Sequence, residues 1–90
     1  MLGHAMDRQF WSELEALTSH PSETVRAAAA RCRNRRETAK SVIKDWCDLT
    51  EREEVAHTAM KAHADGKLGD TGLISALGML EACYFKALSR

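Results

Sequence analysis

Few side chains in this sequence combine the type and the spacing that catalysis or metal binding requires. Glu53 and His57 are four residues apart and could supply two ligands from one helix face, but no third ligand follows at metal spacing. His57 and His63 are six apart, which turns them to different sides of a helix. The sequence has no Ser/His/Asp spacing, nucleophile-elbow motif or phosphate-cradling glycine loop. We therefore expect a protein that is not an enzyme and holds neither metal nor cofactor.

One stretch carries a family resemblance. The segment Ala56-His57-Thr58-Ala59-Met60-Lys61-Ala62 is followed by a loop and an apolar helix that contains Glu81. It resembles the histidine phosphotransfer domains, in which an exposed histidine on a four-helix bundle takes a phosphoryl group. Lys61 follows His57 at four residues where the family has three, and Ala62 stands where glycine is usual. The resemblance implies phosphotransfer through His57, which is our second alternative function.

The cysteines and the chain ends bear on the cellular compartment. Cys32, Cys47 and Cys83 are odd in number, far apart and set in apolar helical patterns, which favours buried thiols over a disulfide framework. The first residues lack the basic and apolar regions of a secretory signal, and no uncharged run approaches the roughly 20 residues of a membrane span. We expect a cytoplasmic protein that does not bind membranes.

The apolar spacing predicts an all-α fold, a bundle of three to four helices in a single domain over residues 1–90. Apolar residues recur at three and four positions, and no strand pattern is present. Helix two is the longest and should form the spine of the bundle. The predicted bounds of the helices are about Ala5 to Thr18, Pro21 to Cys47, Glu51 to Ala64 and Thr71 to Ser89.

Local signals set these boundaries. Thr50 and Glu53 fit a T-x-x-E capping box, which predicts the start of helix three. Gly66 predicts its end, since glycine readily adopts the left-handed conformation that closes a helix. Gly78 lies within helix four and predicts close packing, either on the alanine face of helix two or on the same residue of a second copy.

The predicted core faces follow the apolar pattern. Helix two has a heptad seam and helix three a modest apolar face. The seam residues are Val25, Cys32, Ala39 and Trp46, flanked by Ala28, Ala29, Val42 and Ile43. The face of helix three consists of Val55, Ala56, Ala59 and Met60. Arg35 and Arg36 interrupt the seam, either as a buried ion pair or where the bundle opens to admit a partner's carboxylate.

The chain has 13 basic and 13 acidic residues, yet helix two concentrates positive charge. Seven basic residues stand against three acids in that helix, a local balance of +4. A basic ridge formed by Arg26, Arg33, Lys40 and Lys44 would extend about 27 Å along the helix. Such a ridge could follow a phosphate backbone, so nucleic-acid binding is our first alternative function. The other interpretation is a solvated face that pairs with acidic residues.

Helix four carries the main functional argument. Twelve of the sixteen residues from Leu73 to Leu88 are apolar, more than three other short helices can cover. We therefore expect a protein–protein interaction module, such as an adaptor, a chaperone-like protein or an inhibitor of a larger assembly. Its partner would be a second copy in a homodimer or a different protein. The predicted partner-binding residues are Phe10, Trp11, Ile74, Met79, Phe85, Arg35 and Arg36.

Overall fold

The computed structural model describes residues 2–43 and 47–89, with side chains from 8 to 43 and from 49 to 89. Four α-helices make up this part of the chain: α1 (Leu2–Leu17), α2 (Glu23–Val42), α3 (Cys47–Ala64) and α4 (Asp70–Leu88). The described residues contain no strand. The predicted fold class, a small all-α bundle, is therefore confirmed.

Helix α4 packs against both α2 and α3, while α1 covers the opposite side and also touches those two helices. Contacts at both ends of α3 set its direction relative to α4: Glu53 meets Tyr84, and His63 meets Asp70. These two helices are therefore antiparallel. The core between the four helices is formed by Phe10, Leu14, Val25, Ala28, Ala29, Cys32, Ala39, Leu49, Ala56, Met60, Leu73, Leu77, Leu80 and Tyr84.

Helix α2 is shorter than predicted. It begins at Glu23, after Pro21, and ends at Val42, because Ile43 adopts an extended backbone conformation. Two β-branched residues in succession are poor helix formers, which suits a helix end at this point. Trp46 and Lys44, which the prediction had placed in this helix, lie outside the described residues.

The predicted start of helix three at about Glu51, after a cap at Thr50, is wrong. Helix α3 begins at Cys47, so Thr50 and Glu53 lie within it and not at its cap. Glu53 turns into the core, where it bonds side chains of α2 and α4. A tertiary contact has thus overridden a local capping signal.

The end of α3 is as predicted. Gly66 has a φ of 78°, and its N–H bonds the carbonyl of His63 at 3.1 Å. The N–H of Lys67 bonds the carbonyl of Ala62 at 2.8 Å. This pair of bonds is a Schellman motif, which satisfies two carbonyls that the helix end would leave free.

Three predicted core positions need correction. Val55 is 66% exposed and Val42 is also exposed, whereas the polar residues Glu53 and His57 occupy the buried face of α3. Gly78 does not pack against α2, since a Cβ atom built on it would meet nothing within 4 Å. Of the two interpretations of Gly78, contact with a second copy is the one that stays open.

Candidate partner-binding surface

The seven residues predicted to bind a partner do not form one surface. Phe10 is only 1% exposed and belongs to the core, and Arg36 is buried as well. Trp11, Arg35 and Ile74 are half-buried, Ile74 being packed against the core. Met79 and Phe85 are 70% and 56% exposed. The predicted surface is therefore reduced to the outer side of α4 and the exposed part of Trp11.

Arg36 is part of a buried polar centre to which all four helices contribute. Its Nε donates to Oε2 of Glu53 at 2.6 Å, and the hydroxyl of Tyr84 donates to the same oxygen. The guanidinium lies over the rings of Phe10 and Trp11, at 5.3 and 5.5 Å from their centroids. Of the two interpretations of Arg36, the geometry favours the buried ion pair, with aromatic faces covering the cation.

Burial and negative charge act together around this centre. Burial, followed by the charge of Glu53, raises the pKa of Tyr84 well above its ordinary range. Burial, with the nearby Glu81 and Glu53, raises the pKa of the Cys32 thiol to about 12. Tyr84 is thus held as a neutral hydrogen-bond donor, and Cys32 as an unreactive thiol. This chemistry stabilises a fold and does not suit nucleophilic attack.

Arg35 lies on the other side of α2, at the edge of α4. Its guanidinium is 5.0 Å from the ring centroid of Phe85, and Nη2 is 3.8 Å from Oε2 of Glu81. Arg31 approaches the other oxygen of Glu81 at 3.7 Å. One face of the exposed Phe85 ring therefore carries a cation, which restricts the ring's position beside α2.

The outer side of α4 is a stripe of mainly small or apolar residues, with a lysine at its C-terminal end. Its exposed members fall at helical spacings of three and four, so they share one face. They are Ser75, Gly78, Met79, Ala82, Phe85 and Lys86. We call this set the α4 outer stripe. Gly78 and Ala82, four residues apart, have the smallest side chains of the stripe, and Met79 and Phe85 beside them are 70% and 56% exposed. A shape of this kind lets another helix approach closely.

A second concave feature lies beside Trp11. A cleft of about 730 Å³ opens between α1 and α2, and Trp11 and Arg36 line it. Its other lining residues are Arg8, Ser12, Glu15, Glu37 and Lys40. Five of the seven lining residues are charged, with both signs present, so a partner seated here would meet charged groups as well as the ring of Trp11.

The predicted basic ridge is broken up by contacts within the chain. Arg26 donates to the carbonyls of His20 and Pro21, at 2.9 and 3.0 Å, and so fixes the α1–α2 connection. Nη1 of Arg33 lies 3.4 Å from Oε1 of Glu15, a residue of α1. Lys40 is exposed, and Lys44 lies outside the described residues. Two of the four predicted phosphate contacts are therefore engaged in holding the bundle together.

His57 is also placed differently from what the phosphotransfer resemblance implies. The residue is 6% exposed, its ring meets the edge of Phe10, and Nε2 lies 2.6 Å from Oε2 of Glu13. The two atoms are close without hydrogen-bond geometry, and neither has a hydrogen-bond partner elsewhere among the described residues. A phosphoryl acceptor must reach solvent, whereas His57 is enclosed between α1 and α3.

Sequence reasoning missed two polar groupings. One is the Arg36–Glu53–Tyr84 centre, whose members come from three helices. The other consists of His20 in the α1–α2 connection with His63 and Asp70, which flank the α3–α4 connection. Neither grouping has a local motif, because at least one member of each is distant in sequence from the others and joins them only in the folded bundle.

Comparison of the chain with protein-family models, with curated proteins and with solved structures finds no match. Among the described residues, no helix combines the length and apolar character that crossing a membrane requires. Function must therefore be argued from the surface and the chemistry of this chain.

Proposed function

We propose that this protein is a non-enzymatic interaction module that binds another protein chain through the α4 outer stripe. The observation that carries the proposal is the exposure of Met79 and Phe85, at 70% and 56%, on the same face as Gly78 and Ala82. Large apolar side chains grouped on one exposed face mark association surfaces more often than isolated ones do. The inner face of the same helix, with Leu73, Leu77, Leu80 and Tyr84, already forms the core.

The simplest partner is a second copy of the chain. If two α4 helices cross antiparallel on a two-fold axis through Ala82, Phe85 of each copy falls opposite Met79 of the other, since both are three residues from Ala82. Lys86 then falls opposite Gly78, where there is no side chain to obstruct it. Methionine sulfur next to an aromatic ring is a favourable contact. The stripe is thus complementary to itself.

The test compares two exposed apolar side chains on different helices. Phe85→Asp lies in the α4 outer stripe, and Val55→Asp is the matched control on α3, since Val55 is 66% exposed. Sedimentation over a wide concentration range should show a dimer for the parent and for Val55→Asp. Phe85→Asp should sediment as a monomer with unchanged helicity. If the parent and both variants associate equally, the α4 outer stripe is not the binding surface.

A parent that stays monomeric at high concentration would exclude the homodimer and leave a different protein as partner. A photo-crosslinking amino acid at position 85 or 79, expressed in the native host, should then capture a protein that the same group at position 55 does not. Equal capture from all three positions would contradict binding through α4.

The first alternative function, phosphate-backbone binding, makes a different prediction for the same chain. Binding to DNA or RNA would fall steeply with salt and would depend on the basic ridge of helix two rather than on Phe85. Nuclease-treated protein whose mobility does not change on mixing with nucleic acid at low salt would dispose of this alternative.

A further inference from the structure

Three potential metal ligands meet at one end of the bundle. His20 lies in the α1–α2 connection, His63 in the last turn of α3, and Asp70 is the first residue of α4. One ligand atom from each lies within 4.8 Å of the other two. Nε2 of His63 is 2.7 Å from Oδ1 of Asp70, and the two imidazole rings are 5.4 Å apart between centroids. No other such group of three exists among the described residues.

We propose that His20, His63 and Asp70 bind a divalent transition metal of the zinc class. Two imidazoles and one carboxylate form a mixed nitrogen and oxygen donor set, which suits zinc and its neighbours better than calcium or magnesium. A water molecule would complete a four-coordinate site. The carboxylate comes from the first turn of a helix, where the backbone amides stabilise its negative charge before any metal arrives.

The ligand atoms of these three residues already lie close to the separations that a bound zinc ion requires. Zinc bonds to nitrogen and oxygen are about 2.0 to 2.2 Å long, so ligand atoms around a tetrahedral ion are about 3.3 Å apart. His63 and Asp70, at 2.7 Å, must separate slightly, and the remaining pairs, which lie within 4.8 Å, need to move by about 1.5 Å at most. Side-chain rotation in a loop and at a helix end can supply such shifts without breaking the bundle.

To bind here, a metal ion must replace hydrogen bonds that the three side chains already make. Nε2 of His63 and Oδ1 of Asp70 are hydrogen-bonded at 2.7 Å, and a metal bound to both atoms would replace this hydrogen bond. Nδ1 of His20 accepts the backbone N–H of Ser22 at 3.0 Å. Binding through Nδ1 displaces that N–H, and binding through Nε2 moves the ring proton to Nδ1, so either way this hydrogen bond is lost. We therefore expect weaker binding than in a closed four-ligand site.

Binding at this site would tie the α1–α2 connection to the α3–α4 connection. The two connections are joined here by side chains alone, and the Asp70 side chain is 48% exposed, which leaves an entry path for the ion. The site lies at the opposite end of α4 from Phe85. The proposal is therefore independent of partner binding through the α4 outer stripe.

The experiment is a titration of the whole protein with Zn²⁺ by calorimetry, supported by visible absorption of the Co²⁺ form. We expect one ion per chain and a cobalt spectrum typical of tetrahedral nitrogen and oxygen ligation. Loss of an outer-sphere partner of a metal ligand already weakens binding about tenfold or more, so His63→Ala and Asp70→Asn should each weaken it by at least about tenfold. His20→Ala should do the same.

Two matched controls separate this site from other donors. Asp65→Asn removes a carboxylate from the neighbouring loop, and Cys83→Ser removes a half-buried thiol; both should bind like the parent. In proton spectra, the imidazole signals of His20 and His63 should move on adding Zn²⁺ while those of His57 stay. Absence of binding, or undiminished binding by a His20→Ala/His63→Ala double variant, would overturn the proposal.

Discussion

Tyr84 of α4 donates its phenolic hydrogen to Oε2 of Glu53, the oxygen that also receives Nε–H of Arg36. One carboxylate thus joins α2, α3 and α4 inside a mainly apolar core. The arrangement favours this bundle over other packings of the same helices, because a rotation of α3 about its axis would leave a buried charge without its partners. The polar centre therefore specifies the orientation of α4, and with it which residues form the α4 outer stripe.

Removal of the carboxylate should be the most damaging single change in this centre. Glu53→Ala takes away the carboxylate that lies 2.6 Å from Nε of Arg36, while the guanidinium stays buried beside Phe10 and Trp11. We expect the free energy of unfolding to fall by about 3 to 5 kcal/mol. Urea denaturation followed by circular dichroism measures the change.

The double variant Arg36→Met/Glu53→Leu provides the control for that experiment. It removes both charges and replaces them with apolar side chains of similar length. It should recover most of the stability that Glu53→Ala loses, as apolar replacements of buried ion pairs do elsewhere. A double variant as unstable as Glu53→Ala would mean that packing, and not the broken Arg36–Glu53 pair, causes the loss.

The raised pKa of Cys32 predicts a specific loss of stability in alkali. Burial raises this pKa from 9.0 to about 12, so the folded chain holds the thiol proton more tightly than the unfolded chain does. The contribution is fully present below pH 9.0 and is lost as the pH rises to about 12, because only the unfolded thiol ionises in that interval. The free energy of unfolding should fall across this window.

Substitution of single cysteines separates the contribution of Cys32 to the alkaline loss of stability from that of other groups. Cys32→Ala should flatten the alkaline decline, whereas Cys83→Ser, at a half-buried position, should not. The raised pKa of Tyr84 adds a further alkaline loss, which both variants retain. Identical pH profiles for the two variants would contradict the assignment to Cys32.

The same burial predicts how the thiols react with alkylating reagents. In a Cys47→Ser background, Cys83 should be labelled in the native protein, while Cys32 should be labelled only after denaturation, because its thiolate is scarce and covered. Mass spectrometry of the labelled peptides gives the ratio. Equal native labelling rates at Cys32 and Cys83 would show that the core around Tyr84 opens readily.

The number and type of the helices could be predicted from apolar spacing, as could the end of α3 at Gly66. The position of Glu53 and His57 could not, since an apolar pattern treats a carboxylate and an imidazole as surface residues. For the same reason, the apolar pattern places Val55 in the core. Which of several neighbouring residues faces inward depends on the side chains that each one meets in the folded bundle. Arg36 shows the reverse case, because the interrupted seam did signal a buried charge while leaving its partner unidentified.

Two glycines should respond in opposite directions to the same substitution. Gly66→Ala places a Cβ on a backbone with a φ of 78°, which costs about 1 to 2 kcal/mol. Gly78→Ala adds a Cβ with no neighbour within 4 Å in an exposed helix position and should stabilise the monomer by about 0.5 to 1 kcal/mol. Thermal unfolding at low concentration measures both.

The response at position 78 also bears on association. If Gly78 meets a second copy, Gly78→Leu should preserve the monomer's helicity and weaken the dimer, because the bulkier side chain holds the two α4 helices apart. Destabilisation of the monomer by Gly78→Ala would instead mean that α4 packs more closely within one chain than its exposed face indicates.

The two faces of α4 should differ in what aspartate does to them. Leu77→Asp places a carboxylate in the core without a partner and should unfold the chain, since burying an unpaired charge costs more than a domain of this size can offset. Phe85→Asp should leave the melting temperature within a few degrees of the parent's, losing mainly the contact of Phe85 with Arg35. Ile74→Asp should fall between them, because Ile74 is half-buried against the core. Melting temperatures of the three variants, measured at low protein concentration where association does not contribute, give the order of destabilisation. A Phe85→Asp chain that unfolds while Leu77→Asp remains folded would mean that α4 is rotated from the orientation that Tyr84 and Glu53 give it.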